Sequence, residues 1–334
     1  MATVQSTTDA ARLLSEREAL VNECGLLDRS ERGKLALTGA DTVEFLNGQV
    51  TNELAGIAPG EGRYAAFLTH KGKMLGDLRV LARGEADTTE LLLDTERAAL
   101  QALFDMILRY KVGYAVELHK RTLECALLSL IGPRARAVAA EAAGEDAGAL
   151  PEVEHANLAA RIAGHEVLLV STEAGGVDVL LAGSDRDAVW SALCEAGATP
   201  VAHQAAEIVR VERGVPRFGL EMDERTIPQE AGLNERAVSF TKGCYVGQET
   251  VARLHYRGKP NRHLRGLRLA QPVPVGAEIR LGERVVGTLS SSVESPAFGP
   301  IGLALVRREA EPGATVSVGD QAVAGELVSL PFPA

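Results

Sequence analysis

The sequence has few cysteines, and they are scattered. Four cysteines occur in 334 residues, at Cys24, Cys125, Cys194 and Cys244, without a C-x-x-C pair or a Cys/His cluster. Zinc and iron–sulfur centres are held by such clusters. The spacing therefore excludes a cysteine-built metal centre within this chain alone, and we predict that the protein carries no metal of its own.

Two other features are missing: an excess of basic residues and a long apolar run. The 45 acidic residues outnumber the 35 lysines and arginines, and the formal net charge is −10. This balance argues against direct binding to phosphate backbones. Residues 1–12 lack the basic start and apolar core of a signal peptide, and no apolar run is long enough to cross a bilayer. We therefore expect a cytoplasmic protein that binds neither nucleic acid nor membrane.

The chain is long and apolar enough to form two or three compact units, since 46% of its residues are hydrophobic. Up to about Pro260, β-like runs alternate with helical patterns, notably at residues 34–38, 63–69, 74–81, 95–110, 112–118, 123–131, 134–143, 177–181 and 185–196. Beyond it, short β-like runs separated by glycine and proline lie at residues 264–269, 278–281, 284–291, 301–306 and 315–318. This pattern predicts a mixed α+β region over residues 13–258 and a C-terminal barrel or sandwich over residues 259–334.

The first segment that can carry chemistry is residues 242–249, KGCYVGQE. Lys242 lies two residues before Cys244, and a helix could start close by. A neighbouring ammonium and a helix N-terminus both favour thiolate over thiol, so Cys244 is a candidate reactive cysteine. The alternative is a buried structural cysteine in a tight glycine turn, with Glu249 and Arg253 forming only a helix-surface pair.

The second segment is residues 210–219, RVERGVPRFG, at the end of a predicted helix. A pterin ring presents an amino group beside a ring N–H, and one carboxylate can accept both hydrogen bonds in a planar fork. Glu212 is therefore a candidate anchor for such a ring. Its alternative role is that of a solvated acid that balances Arg210 and Arg213.

The third segment is residues 64–79, where two β-like runs are joined by a turn over residues 70–73. On a strand that begins at Met74, alternation places Asp77 and Arg79 on the same face. Asp77 either points into a cleft or pairs with Arg79 at the surface, and the pattern leaves both possibilities open.

Several of these segments resemble a known family. Residues 25–30 (GLLDRS), 37–41 (LTGAD) and 45–52 (FLNGQVTN) resemble the opening of the aminomethyltransferase, or glycine-cleavage T-protein, superfamily. Residues 210–214 (RVERG) resemble its R-x-E-x-G segment. Residues 242–249 resemble the signature of the YgfZ branch, folate-binding proteins that include mitochondrial iron–sulfur assembly factors. The resemblance spans nearly the whole chain.

This resemblance implies a fold and a cofactor. The fold would be α+β, with three domains around a central folate cleft: two interwoven N-terminal domains, one of them ferredoxin-like, and a C-terminal β-barrel. The cofactor would be tetrahydrofolate or a folate derivative. Aminomethyltransferases tend to carry a paired acid at the end of the strand over residues 74–80, whereas this chain has Gly76 and Asp77. Only one carboxylate is therefore left.

The same resemblance implies roles for individual residues. The glutamate of the R-x-E-x-G segment binds the pterin in the superfamily, so we expect Glu212 to do so here. The further folate contacts would be Tyr64, Tyr245, Gln248 and Arg253, with Tyr245 and Gln248 also shaping their loop. Three residues would be catalytic: Cys244 as a thiolate, Lys242 as the group that lowers the thiol pKa, and Asp77 as the folate-side acid.

The implied function is that of an accessory protein that binds folate and helps to assemble, insert or repair 4Fe–4S clusters in client enzymes, including tRNA-modifying enzymes. Its partners would be folate and these clients or other assembly proteins. The alternative is a tetrahydrofolate-dependent aminomethyl or one-carbon transferase, in which Asp77 places a proton at the folate nitrogen. A third interpretation is an adaptor whose basic residues 253–268 dock an acidic partner.

Overall fold

The computed structural model describes residues 2–85, 89–144 and 150–333. The described helices are α1 (Ala2–Asn22), α2 (Thr42–Asn47), α3 (Leu100–Tyr110), α4 (Ala135–Ala143), α5 (Arg186–Glu195), α6 (His203–Glu212), α7 (Asn234–Ala237) and α8 (Gln248–Arg257). None of these described helices combines the length and the apolar character needed to cross a membrane.

Eleven of the described strands belong to the N-terminal two-thirds of the chain. They are β1 (Gly25–Asp28), β2 (Gly33–Thr38), β3 (Gly62–Leu68), β4 (Met74–Arg83), β5 (Glu90–Thr95), β6 (Glu117–Lys120), β7 (Cys125–Ile131), β8 (Asn157–Ile162), β9 (His165–Ser171), β10 (Val177–Ala182) and β11 (Thr199–Pro200). The C-terminal strands are β12 (Arg262–Leu269), β13 (Glu278–Leu281), β14 (Arg284–Thr288), β15 (Ser291–Ser295), β16 (Gly299–Arg307), β17 (Thr315–Val318) and β18 (Val323–Val328).

The chain starts one sheet, builds a second and then returns to the first. A six-stranded sheet has the order β11-β1-β7-β10-β9-β8, whereas β2 to β6 form a five-stranded sheet in the order β3-β4-β5-β2-β6. The second sheet is thus inserted between β1 and β7. The two sheets pack against each other through buried aliphatic side chains, among them Leu81, Leu92, Leu127 and Leu180. This arrangement confirms the interwoven α+β fold.

The core of the five-stranded sheet draws on distant parts of the chain. Helices α2 and α3 cover it with Phe45 and Ile107, because apolar residues at helical spacing line one side of each helix. Residues 218–251 complete the same core with the side chains of Phe218, Met222, Leu233, Tyr245 and Val251.

The C-terminal region is a closed barrel. Six strands are hydrogen-bonded in the ring β12-β18-β17-β13-β14-β16, which the β12–β16 pairing closes, and β15 extends the sheet from β16. Leu267, Ile279 and Val306 lie in its buried interior. Helix α6 joins the barrel to the N-terminal region, because Val211 packs against Leu303. The predicted barrel is confirmed.

Local predictions were wrong at three places. The run predicted over residues 284–291 is divided between β14, which ends at Thr288, and β15, which begins at Ser291. The helix predicted over residues 95–110 begins as an α-helix only at Leu100, because β5 continues through Thr95 and a short 3-10 turn follows. The strand predicted over residues 112–118 is instead β6, Glu117–Lys120, since residues 111–114 form a turn in which the Tyr114 N–H donates to the Lys111 carbonyl.

Candidate functional site

A polar cavity lies where the two N-terminal sheets and the segment after α6 meet. It measures about 250 Å³, and its walls include Tyr64 and Asp77 of the five-stranded sheet and Asp178 of the six-stranded sheet. A second cavity of about 850 Å³ shares with it a wall that contains Arg29, Arg213, Val215, Pro216 and Arg217. Small-molecule sites generally measure about 300–1,000 Å³, so the two together are large enough for a cofactor.

Asp77 is the distinctive group in the smaller cavity. The Tyr64 hydroxyl donates to Asp77 Oδ2 at 2.5 Å, whereas the buried Oδ1 has no hydrogen-bond partner among the described residues. Burial raises the pKa of Asp77, and this effect outweighs the hydrogen bond from Tyr64, which lowers the pKa. The carboxylate thus has one fixed oxygen and one oxygen available to a ligand. The alternative surface pair with Arg79 is wrong.

Arg79 is instead part of a buried ion network under the cavity. Its Nε donates to Asp94 at 2.7 Å and its Nη1 to Asp178 at 2.5 Å, and Arg32 Nε donates to Asp94 at 2.8 Å. Burial alone would raise the pKa of Asp94, but the guanidinium groups of Arg32 and Arg79 lower it. Arg79 likewise lowers the pKa of buried Asp178. Asp94 and Asp178 are therefore ionised and paired with arginine, whereas Asp77 has its described hydrogen bond from Tyr64.

Gly76 explains why one carboxylate stands here and not two. A Cβ atom added at Gly76 would lie 2.5 Å from Ala99 Cβ and 2.6 Å from the Phe67 ring. Both neighbours are fully buried, so a longer side chain would need the surrounding core to move. The packing of this chain is therefore adapted to a single acid at this strand end.

His155 also faces the cavity, and no motif in the sequence singled it out. The side chain is buried, at 6% exposure, and neither ring nitrogen has a hydrogen-bond partner among the described residues. Its Nε2 lies 3.4 Å from Glu154 Oε1 without forming a hydrogen bond. Burial, together with the charge of Arg79, lowers the pKa of His155 to about 4. The imidazole is therefore neutral at pH 7.

Glu212, the predicted pterin anchor, lies at the end of α6 with both carboxylate oxygens engaged. Arg17 Nε donates to Oε1 at 2.8 Å and Nη2 to Oε2 at 3.0 Å, and the Ser295 hydroxyl donates to Oε1 at 2.5 Å. The side chain thus joins α1, α6 and the barrel. It is not among the residues that line the two cavities.

Lys242 is buried and its ammonium group binds the turn after α2. The Nζ atom donates to the main-chain carbonyls of Asn47 (2.7 Å), Val50 (2.9 Å) and Asn52 (2.7 Å), and lies 3.0 Å from Asn47 Oδ1. Burial lowers the pKa of Lys242 to about 8. None of the described contacts of this ammonium involves the Cys244 thiol, so the predicted activation of Cys244 has no contact to support it.

The rest of the KGCYVGQE segment is partly exposed and approaches the turn over residues 69–73 through Gly247. Cys244 is exposed, whereas Tyr245 is buried with its ring 5.3 Å from Lys242 Nζ. Gln248 Nε2 donates to the Gly243 carbonyl at 3.4 Å, and Arg253 is exposed on α8. None of residues 242–253 lines the two cavities. The predicted site residues therefore lie in three separate places: Tyr64 and Asp77 in the cavity, Glu212 between α1 and the barrel, and the others in residues 242–253.

Gly247 sets the position of this segment. Its φ is +85°, and an added Cβ would lie 2.6 Å from the Thr69 carbonyl oxygen. Glycine alone adopts this conformation readily and permits so close a backbone approach. Helix α8 then begins at Gln248, which confirms a helix start close to Cys244.

Within the residues that the structure describes, no group of three or more histidine, cysteine, aspartate or glutamate side chains is arranged to hold a metal ion. The cavity combines the tyrosine-held Asp77 and a neutral imidazole with several guanidinium groups and the further acids Glu96, Glu154, Glu173 and Asp178. These groups can bind a polar, partly anionic organic molecule.

Two interwoven α+β parts, a closed barrel and a polar cavity beside the segment after α6 define the aminomethyltransferase-like fold. A family model described as the GCVT N-terminal domain matches residues 5–242, and one described as the glycine cleavage T-protein C-terminal barrel domain matches residues 262–333. The chain belongs to the glycine cleavage T-protein, or aminomethyltransferase, superfamily.

Individual relatives agree with this assignment. The chain is 31% identical over 333 residues to an aminomethyltransferase of Rubrobacter xylanophilus, covering 96% of this chain and 86% of the relative. It is 28% identical to a putative chloroplastic transferase of Arabidopsis thaliana, covering 94% and 72%. The crystal structure of the glycine cleavage system aminomethyltransferase T from Bartonella henselae superposes with a TM-score of 0.82 at 24% identity, covering 96% and 89%, which supports the fold.

Proposed function

We propose that this protein is a folate-dependent one-carbon transferase that binds tetrahydrofolate in the cavity beside Asp77. The observation that carries the proposal is the Asp77 carboxylate, with one oxygen held by Tyr64 and the other buried without a described partner. A relative named aminomethyltransferase that matches nearly the whole chain supports the same reaction class.

The shape and charge of the cavities fit a folate. A folate has a polar heterocycle at one end and a glutamate at the other. Asp77 and Tyr64 lie in the smaller cavity, where they would contact the ring end, and Arg29, Arg213 and Arg217 lie in the shared wall. Arg29 lies 3.6 Å from Glu96 and Arg217 lies 3.5 Å from Glu207. Guanidinium groups bind carboxylates well, so Arg213 would receive the glutamate end, with Arg29 and Arg217 beside it.

The chain's own residues would act on protons. Bound tetrahydrofolate would supply the nitrogen atoms that accept a one-carbon unit. Burial raises the pKa of Asp77, which favours its protonated form and suits the carboxyl group to exchange a proton with such a nitrogen. Tyr64 holds the carboxylate in one orientation through its hydroxyl group. With Gly76 in place of a second acid, Asp77 performs this step alone.

The other residues predicted to contact folate lie outside the two cavities. Glu212 can anchor the pterin when Arg17 is displaced from its oxygens. Tyr245, Gln248 and Arg253 would contact a folate that extends beyond the two cavities, because none of them lines either one.

The test is calorimetric titration of the protein with tetrahydrofolate, followed by turnover with methylene and methyl donors. We expect micromolar or tighter binding, and Asp77→Asn should lower kcat by about 100-fold or more, as loss of a general acid–base group does. Asp105→Asn is the matched control, since Asp105 is an exposed acid on α3 and should leave both quantities unchanged. Wild-type protein that binds no folate would exclude the proposal.

We propose as a second candidate an accessory role in the assembly, insertion or repair of 4Fe–4S clusters in client enzymes, including tRNA-modifying enzymes, in the cytoplasm. The specific observation in its favour is the exposed Cys244 in a segment that Lys242 and Gly247 hold in place. Assignment to the YgfZ branch rests on this segment. Folate binding is common to both candidates.

Separation of function distinguishes the two candidates. In cells that lack the protein, wild type and two variants, Cys244→Ser and Asp77→Asn, are compared for recovery of 4Fe–4S enzyme activity. The accessory role predicts that Cys244→Ser fails to restore it. Full recovery by Cys244→Ser, combined with turnover of a one-carbon donor by the purified protein, would favour the transferase alone.

A further inference from the structure

Two buried side chains in the smaller cavity carry polar atoms without partners. They are Asp77 at Oδ1 and His155 at both ring nitrogens, and each side chain is at least nine-tenths buried. Buried polar atoms in native proteins are nearly always hydrogen-bonded, and exceptions mark sites that a ligand or an ordered water completes. Two such residues in one cavity point to a common ligand.

Tyr64 connects the two residues. Its hydroxyl donates to Asp77 at 2.5 Å, and its ring centroid lies 6.2 Å from that of His155. Asp77 and His155 therefore flank the same aromatic side chain. A planar ligand placed against Tyr64 would have both residues within reach.

His155 is held in a strained backbone conformation. Its φ is +67°, in the left-handed region that residues with a Cβ rarely adopt. The His155 N–H donates to the Ser171 carbonyl at 2.8 Å, and a Cβ added at Gly62 would lie 2.4 Å from the His155 carbonyl oxygen. Strain of this kind persists where the surrounding structure over-determines a residue, which is common at ligand sites.

The chemistry of the two residues is complementary. A neutral imidazole offers one N–H donor and one nitrogen acceptor, and the charged groups near it, Arg79, Arg236 and Glu154, are already paired with acids or arginines. Asp77 adds a carboxylate oxygen. Together they match a heterocycle that presents an N–H group and a carbonyl or ring-nitrogen acceptor on its polar edge.

We propose that His155 is a ligand-binding residue that, with Asp77, recognises the polar edge of the heterocycle and sets specificity for it. The inference rests on the proposed folate function and deepens it. It adds His155 to ring recognition at the sheet–sheet junction, and this role does not depend on whether Arg17 releases Glu212.

The test compares His155→Gly with wild type by calorimetric titration with tetrahydrofolate and by thermal unfolding. Glycine relieves the positive φ and removes both unpaired nitrogens, which offsets the lost packing of the ring, so the unfolding midpoint should stay near that of wild type. The dissociation constant should rise by about tenfold or more, as loss of a buried hydrogen bond to a ligand implies. A merely structural role would change stability and not affinity.

Ala163→Gly is the matched control. Ala163 also has a positive φ, +51°, but is exposed and lies outside both cavities, so the change relieves strain without affecting affinity. His155→Asn keeps a donor and an acceptor and tolerates the left-handed conformation, so it should restore part of the affinity. It also serves as the test variant if His155→Gly does not fold.

The outcomes separate this inference from the proposed function. If wild type binds tetrahydrofolate and Asp77→Asn weakens binding, but neither His155 variant does, the role of His155 is rejected and the folate site stands. If wild type binds no tetrahydrofolate at all, the proposed function fails first. Weakened binding in His155→Gly with partial recovery in His155→Asn supports the inference.

Discussion

Arg17 and Glu212 lie 195 residues apart in the sequence and form a two-pronged ion pair, with Nε donating to Oε1 at 2.8 Å and Nη2 to Oε2 at 3.0 Å. The Arg17 guanidinium presents two parallel N–H donors, as does the amino edge of a pterin. The Arg17 guanidinium thus binds the Glu212 carboxylate that we predicted would bind the cofactor. Whether Glu212 serves as anchor depends on how readily Arg17 leaves it.

Replacing Arg17 with methionine should destabilise the fold. The change leaves the buried Glu212 carboxylate without its counter-ion, and breaking such a pair costs about 3 kcal/mol or more. Denaturant unfolding measures this free energy. Arg12→Met is the control, because the Arg12 side chain is 60% exposed in its pair with Glu16, and a pair with a solvent-exposed arginine contributes about 1 kcal/mol or less.

The same variant tests the anchor. If Glu212 binds the pterin, Arg17→Met should increase tetrahydrofolate affinity and Glu212→Gln should abolish the increase. Equal affinity in wild type, Arg17→Met and Glu212→Gln would remove Glu212 from the cofactor site.

The two glycines of the KGCYVGQE segment should respond differently to alanine. Gly247→Ala places a Cβ 2.6 Å from the Thr69 carbonyl oxygen at a φ of +85°, so it should lower the free energy of unfolding by about 2 kcal/mol or more. Gly243 is exposed, and an added Cβ there would have no atom within 4 Å. Gly243→Ala should therefore be close to neutral. Similar losses in both variants would contradict the proposed role of the close backbone approach.

Lys242→Met should act on stability and not on thiol chemistry. It removes the donor for three main-chain carbonyls and Asn47 Oδ1, so we expect a loss of about 3 kcal/mol. Lys71→Met, at an exposed lysine, is the control. At temperatures where both proteins stay folded, the pH profile of Cys244 alkylation, followed by peptide mass spectrometry, should be the same in Lys242→Met and wild type. A shift of that profile would restore the original prediction that Lys242 activates Cys244.

The stability of the protein should depend on pH through His155. Its pKa in the folded protein is about 4, and in the unfolded chain about 6.5. Between these values only the unfolded chain binds the proton, so stability falls as pH falls from about 6.5 to about 4, by about 3 kcal/mol in total. In His155→Asn this part of the pH dependence should disappear. Parallel pH–stability curves for the two proteins would show that His155 is already charged or solvated.

Much of the fold could be predicted from the periodicity of apolar residues and from the glycine and proline residues that mark turns. Strands β13 and β17 begin and end where the sequence pattern indicates, because alternating residues between turn signals are a local property. The barrel closure and the interweaving were less accessible to such rules. They depend on pairings such as Arg268 with Ile301, and only the resemblance to a known family supplied them.

The candidate site was predictable in part. Alternation along β4 left two alternatives for Asp77, a position in a cleft or a surface pair with Arg79. The second sheet packs against this strand, and Asp77 therefore lies in the cleft. His155 left no signal, because its place depends on a left-handed turn between two sheets. The partners of Lys242 are mainly main-chain carbonyls. Every residue has such a carbonyl, so the sequence does not reveal which ones a lysine binds. The short spacing between Lys242 and Cys244 therefore suggested a contact that the structure does not contain.

The contribution of residues 218–251 to the core of the five-stranded sheet has a consequence for synthesis of the protein. All five strands have been synthesised once residue 120 is added, yet Met222, Leu233 and Tyr245 must still follow before the core on their apolar face is complete. A nascent chain that stalls near residue 200 therefore exposes an apolar sheet surface. Chaperones bind such surfaces, and aggregation starts from them. Successful translation of the last third of the chain is what protects the first.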